Sequence, residues 1–512
     1  MGRSLTFTVA ALVALAAAAP AAFGAGWAKV SGDDVSGIDQ AALVTSGGRV
    51  VAAWPSGTGS ELADSIAFRG WAPTPQAPFA GAGATATATG GYSNVSQRPG
   101  LVAAPDGLSV ITGGVIAGQA RVYRTPPLTE GQAGGPATEI AEQLTGPMDA
   151  LALAGGGIEV ADMTNGEVRV FRDAAPAGGI ALQPLLGGPA GYHPALGQDA
   201  SGRLWVAWYS NATGNVGIYL LQLDPATGGP AAGATPAKVP QSESPANNGF
   251  HLALACAASC RIVYGAQTAP TAQLRLASWA PGEGASPTSI GGGARLSLGL
   301  PLTAAYRADG RLWVAWYDLG TTKGFYAAKL GNAKGAGGTV QNLGRPAGAA
   351  FLDARDLESV AVGTDLVVAG TVVTSQPRAS LWTSYVQDPA TAIENPRTFR
   401  NGPATITAPK RISLKNLKRG GKCVNVKVSV SAPSRVLVQI FSGPKSRRLF
   451  GEKVLAFRAA PATRFVCVRV PFRAKTFDPR APAGILVAVR PPGATGRSGP
   501  PAKVVTRDVR FF

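Results

Sequence analysis

Gly202-Arg-Leu-Trp-Val-Ala-Trp-Tyr209 recurs almost letter for letter as Gly310-Arg-Leu-Trp-Val-Ala-Trp-Tyr317. Looser copies begin at Gly48, Gly107, Gly156, Cys260 and Thr364, each with an apolar run on both sides of a tight turn. The anchors 48, 107, 156, 202, 260, 310 and 364 lie 59, 49, 46, 58, 50 and 54 residues apart. A period of roughly 50 residues with three or four strands per repeat is the signature of a β-propeller blade. A single blade cannot bury both of its faces, whereas blades stacked around an axis cover one another. The nearly unbroken apolar run Leu204-Trp-Val-Ala-Trp208 then reads as a central strand packed on both sides. Its tryptophans belong to the core in this reading and do not form a ligand platform. The fold class is all-β. Seven copies predict seven blades, with six or eight as the alternatives. Trp27-Ala-Lys-Val30 is expected to close the ring by joining the last blade.

The ends and composition supply an address. Arg3 precedes an apolar stretch from Leu5 to Ala19, and small residues surround Gly24. This pattern predicts a signal peptide over residues 1–24. No later stretch reaches the roughly 20 apolar residues that cross a bilayer. A secreted or cell-surface protein is expected, without a transmembrane segment in the mature chain and as a monomer. The 67 glycines and 40 prolines punctuate apolar runs, as many short strands require. The four cysteines fall into two pairs, Cys256/Cys260 and Cys423/Cys467, and export predicts two disulfides.

Charge divides the chain. From Thr405 to Phe512 there are 23 Lys and Arg against Glu452, Asp478 and Asp508, a net of +20. The whole chain carries +18, so the remainder is close to neutral. The domains are therefore read as a propeller over 25–403 and a basic domain over 404–512. The basic part alternates plainly in Cys423-Val-Asn-Val-Lys-Val-Ser-Val-Ser431 and Phe465-Val-Cys-Val-Arg-Val-Pro471. Six or seven such strands predict an immunoglobulin-like β-sandwich. Val424, Val426, Val428 and Val430 share one face, the core face. Cys423 and Cys467 have the opposite parity, beside Lys427 and Arg469, so their disulfide is expected on an outer face or at a sheet end, not across the core. Lys427, Lys445, Arg447, Arg448 and Arg469 are candidates for binding an anionic cell-envelope polymer or glycan. Export argues against nucleic acid as the partner.

Asp309-Gly310-Arg-Leu-Trp-Val-Ala-Trp316 resembles the blades of sialidase-type propellers, which carry BNR repeats. The resemblance is architectural and spans roughly residues 27–400. That family's Asp-box, Ser-x-Asp-x-Gly-x-x-Trp, does not occur. Gln97-Arg98-Pro99 is similar to its Arg-Ile-Pro motif, whose arginine binds the substrate carboxylate. The resemblance implies a sialidase-like or other glycan-active hydrolase as an alternative function.

Propellers bind ligands where the innermost strands open onto the central channel. Counting nine residues back from each anchor reaches Asp39, Arg98, Pro147, His193, His251, Pro301 and Arg355. Both histidines of the chain share this register. With Asp149, two residues beyond Pro147, the ligand-binding candidates are Asp39, Arg98, Asp149, His193, His251 and Arg355. A glycosidase would draw its carboxylates from Asp39, Asp149, Asp353, Asp356 and Glu358. No phosphate loop, nucleophile elbow or His-Glu-x-x-His motif is present. No catalytic residue, metal or cofactor is assigned. The leading expectation is an exported, non-enzymatic binding protein, with the propeller as ligand or partner platform and the basic domain holding to an anionic surface.

Overall fold

The structure is a computed structural model. It describes most of residues 26–511. Outside the described residues lie 1–25, 32–39, 245–251, 331–338, 347–353, 389–395, 413–422, 443–447, 470–482, 491–501, residue 512 and several shorter segments. The described chain is almost entirely β, with one short 3-10 turn at Gln183–Leu186. Among the described residues no helix is long and apolar enough to cross a membrane. The chain forms two compact units, Met1–Val386 and Gln387–Phe512.

The first unit holds seven antiparallel sheets of four or five strands among its described residues. In chain order, the first strands of sheets 1 to 7 are Ala42–Ser46, Gly100–Ala104, Asp149–Ala152, Gly191–Gln198, Leu252–Cys256, Leu302–Tyr306 and Ala354–Val362. Each pairs with a second strand: Arg49–Ser56, Gly107–Ile116, Ile158–Thr164, Leu204–Ala212, Cys260–Gln267, Leu312–Asp318 and Asp365–Ser375. Five of the seven anchors fall in the turn between these two strands, and Gly107 and Cys260 open the second strand. The turn explains the residue type: Gly202 and Gly310 adopt φ of 84° and 76°, a left-handed conformation that costs glycine nothing. The irregular spacing arises in the longer connections, not in this hairpin.

Successive first strands lie side by side, and Ala354–Val362 of sheet 7 returns to Ala42–Ser46 of sheet 1. The sheets thus form a closed, propeller-like cycle. Their packing explains the apolar runs. In sheet 6, Leu312, Val314 and Trp316 join a core with Val263 and Leu276 of sheet 5. The alternate residues Trp313, Ala315 and Tyr317 join a core with Leu366 and Val368 of sheet 7. Both faces of the second strand are buried, so no polar alternation survives. The N-terminal strand Ala28–Lys29 pairs antiparallel with Arg378–Val386, Ala28 opposite Thr383, and completes sheet 7 as read from the sequence. Trp27 secures it, donating from Nε1 to the Leu343 carbonyl at 3.0 Å and packing on Phe325 with centroids 4.5 Å apart.

The second unit contains two sheets around one apolar core. One has the strand order Pro396–Asn401, Ala404–Pro409, Cys423–Val430, Ala462–Arg469. The other has the order Arg411–Ile412, Ala502–Phe511, Ala483–Arg490, Ser434–Ser442, Arg448–Phe457. Val424, Val426, Val428 and Val430 pack with Val436, Val438, Ile440, Ile485 and Val487 across the gap. The expected core parity therefore holds. The division between the units lies earlier than the charge step at 404. Pro396–Asn401 pairs with Ala404–Pro409 and so belongs to the second unit.

Candidate functional site

The first strands carry small residues where they crowd together. A Cβ on Gly100 would collide with Ala150 of the next sheet, and one on Gly197 with Sγ of Cys256. Where these strands begin they leave a cavity of about 130 Å³. Arg98, Asp149, His193, Asp356, Glu358 and Thr303 line it with polar groups, and Met148, Leu252, Leu254 and Leu302 with apolar ones. Pockets that bury a drug-sized ligand span about 300–1,000 Å³, so this one suits a smaller guest.

The charged groups brace the ring. The Arg98 guanidinium, ahead of sheet 2, forms an ion pair with Glu358 of sheet 7. Asp149 of sheet 3 accepts the Leu196 amide of sheet 4 at 2.8 Å through Oδ2 and the Ala150 amide at 2.9 Å through Oδ1. Burial pushes the Asp149 carboxyl above its ordinary value, while Arg98 and the two amides pull it back. Asp356 of sheet 7 accepts the Ala41 amide of sheet 1 at 2.9 Å. Thr303 and Ser359 share a hydroxyl hydrogen bond at 3.1 Å between sheets 6 and 7. Among the described residues no group of three or more His, Cys, Asp or Glu is placed to hold a metal ion.

His193 occupies a bulge in its strand, where the register shifts between Tyr192 and Ala195, and its φ is +50°. Such a conformation is uncommon outside glycine. The bulge places His193 and Pro194 on the cavity wall. Of the six ligand-binding candidates, Arg98, Asp149 and His193 therefore meet in one cavity. Arg355 lies in the strand Ala354–Val362, with its side chain outside the description. Asp39 and His251 fall outside the described residues, as does Asp353, although Leu252, next to His251, lines the cavity. Sequence reasoning missed Thr303 and the leucines. Thr303 lies seven residues before its anchor, as Asp149 does, and this shared register is the signal that could have found it.

Both predicted disulfides form. Cys256 and Cys260 face each other across the sheet 5 hairpin, with Cα atoms 4.0 Å apart. Cys423–Cys467 joins neighbouring strands of one sheet in the second unit, on the outer face with Lys427 and Arg469. Lys445 and Arg447 lie outside the described residues, and Arg448 opens a strand without a described side chain. Among side chains described in this unit, Lys427, Arg435, Lys453, Arg458, Arg464 and Arg469 stand against Asp388 and Glu452.

No protein-family model matches the chain, and no curated protein does. Solved structures with a similar course include three of low sequence identity. PorZ, a surface component of the type-IX secretion system of Porphyromonas gingivalis, is 12% identical over 96% of this chain and 61% of its own, with a TM-score of 0.44. An ancestral GH74 enzyme is 12% identical over 68% of this chain and 47% of its own, TM-score 0.42. The polysaccharide lyase Uly1 is 8% identical over 68% of this chain and 89% of its own, TM-score 0.42. These neighbours accompany the propeller-like, all-β course of the chain; TM-scores below 0.5 transfer none of their activities to it.

Proposed function

We propose that the protein is an exported, non-enzymatic binding protein. A seven-bladed propeller serves as its partner platform, and a basic, immunoglobulin-like sandwich holds to an anionic polymer of the cell envelope. The observation that carries this reading is the separation of charge from core in the second unit. Its interior is apolar, and residues 405–512 concentrate a net of +20. A surface of one sign attracts polyanions over about a Debye length, near 8 Å at physiological salt.

The first unit supports a platform over a hydrolase. Glycoside hydrolysis uses one carboxyl to donate a proton and another to attack or activate water. In the cavity, the Asp149 oxygens each accept a backbone amide, Asp356 accepts another, and Glu358 pairs with Arg98. These carboxyls connect neighbouring sheets.

The test is binding of the full chain to purified cell envelope across a salt series. Retention that falls steeply as salt rises is the expected result. Retention indifferent to salt, or turnover of a glycan by the purified protein, overturns the reading.

A further inference from the structure

The two strands Cys423–Val430 and Ala462–Arg469 pair over eight residues without a register shift, and Ala404–Thr407 continues the sheet beside them. Their outward side chains form transverse rows. Thr405, Ser429 and Thr463 make one row, with Ser429 and Thr463 sharing a hydroxyl hydrogen bond at 2.7 Å. Thr407, Lys427 and Phe465 make the next, with the Lys427 ammonium 5.6 Å from the centre of the Phe465 ring. Asn425 lies opposite Cys467, and Cys423 opposite Arg469. Successive rows are about 7 Å apart, which sets the Lys427 and Arg469 rows about 14 Å apart along the strands.

This described face carries hydroxyls, an amide, an aromatic ring and two cations, but no acid and no aliphatic side chain. It is a regular sheet surface, suited to a long guest lying across it. Arg469, exposed at one end, offers the planar fork that matches a carboxylate. Phe465, half-buried, offers a ring on which the apolar side of a pyranose can stack, and the hydroxyl row matches sugar hydroxyls.

We propose that this outer face of the sandwich binds an acidic polysaccharide bearing uronate-type carboxylates. The proposal rests on the binding function given above and adds the place and the chemistry. Lys427 and Arg469 take the carboxylates, Phe465 takes a sugar ring, and the Ser429–Thr463 row takes hydroxyls.

Polygalacturonate is the probe, with neutral dextran and inorganic polyphosphate beside it, all offered to the full chain. Reversing both face cations (Lys427→Glu with Arg469→Glu) is expected to weaken polygalacturonate binding about tenfold or more. Reversing Lys453 and Arg458, at the edge strand of the other sheet, is expected to weaken it less than about threefold. Phe465→Ala should weaken polygalacturonate binding and leave polyphosphate binding unchanged. Equal losses from the two charge pairs overturn the assigned face while leaving a basic binding domain in place. Tighter wild-type binding to polyphosphate, with no effect of Phe465→Ala on either polymer, overturns the sugar chemistry. If wild-type protein binds neither polyanion, the binding function itself fails, and the proposal with it. Thermal melting of each variant near the wild-type temperature confirms that binding, and not folding, was changed.

Discussion

The strand Leu312–Asp318 and the strand Cys423–Val430 solve the same problem in different surroundings. In the first, six consecutive residues are buried and only Asp318 is partly open. In the second, every other residue is buried and its neighbours look outward. The ring strand is covered by sheets on both sides, and the sandwich strand on one. The contrast extends to charge. In the ring, ions join one sheet to the next: Arg49 reaches Glu130 at 2.6 Å, Arg124 reaches Asp173 at 2.6 Å, and Arg98 meets Glu358. In the second unit, cations greatly outnumber acids, and those with described side chains stand outside the core. Ions in the first unit join its sheets, while in the proposed function those in the second await an external counter-charge.

The largest expected effect comes from placing a lysine at matched positions in the two strands. Ala315→Lys puts a charge into the fully buried core between sheets 6 and 7 and should cost about 4 kcal/mol or more in chemical unfolding. Asn425→Lys, on the outward parity of the sandwich strand, should change stability by about 0.5 kcal/mol at most. Tolerance of both lysines would erase the distinction between a strand covered twice and one covered once.

Disulfide removal separates the units next. Cys423–Cys467 closes a sequence separation of 44, and Cys256–Cys260 one of 4. Loop-closure entropy sets the expected losses at about 4 kcal/mol for Cys423→Ser with Cys467→Ser and about 2 kcal/mol for the other pair. The reverse order in denaturant titrations would mean that packing, and not chain restriction, governs these bridges.

A pH effect should be confined to the ring. Burial pushes the Glu159 carboxyl up to about 8, against the pull of Arg172 at 2.7 Å. The folded state therefore holds this proton more tightly than the unfolded chain does. The resulting stability is complete below about 4.5, the ordinary value, and is lost as pH rises toward about 8. Glu159→Gln should flatten this loss when melting curves of the two proteins are compared at each pH. Parallel curves would mean that Arg172 keeps the carboxyl charged in the fold.

The smallest effect tests the crowding of first strands. Gly197→Ala should cost about 1–3 kcal/mol, because the new methyl meets the Cys256 sulfur. The cost should shrink when Cys256 and Cys260 are both replaced by alanine. An unchanged cost in that background would locate the strain elsewhere.

The anchors were legible because most of the hairpin turns carry a glycine in left-handed backbone, and because the following strand is largely apolar. The parity of Cys423 and Lys427 was legible because a sheet with one covered face alternates. The start of the second unit was not. Composition marks it at 404, yet Pro396–Asn401 is assigned by its partner strand, which local composition does not encode. The common register of Arg98, Asp149 and His193 could be counted from the anchors. That Asp149 and Asp356 would accept amides from adjacent sheets could not be, since Leu196 and Ala41 come near them only once the cycle has formed. Arg98 is engaged by Glu358 of another sheet for the same reason.

Pairing of Ala28 with Thr383 also has a bearing on the order in which the molecule can be made. Hairpins within a sheet are local and can form as the chain emerges, but the last sheet lacks its outer strand until the earliest residues return to it. Contacts of such long sequence separation form slowly. Until then Trp27 has no carbonyl of Leu343 to meet, and the core between sheets 6 and 7 is incomplete on its outer side. The ring is thereby kept from sealing early, and Ala28 and Lys29, among the first residues made, become the last to be fastened.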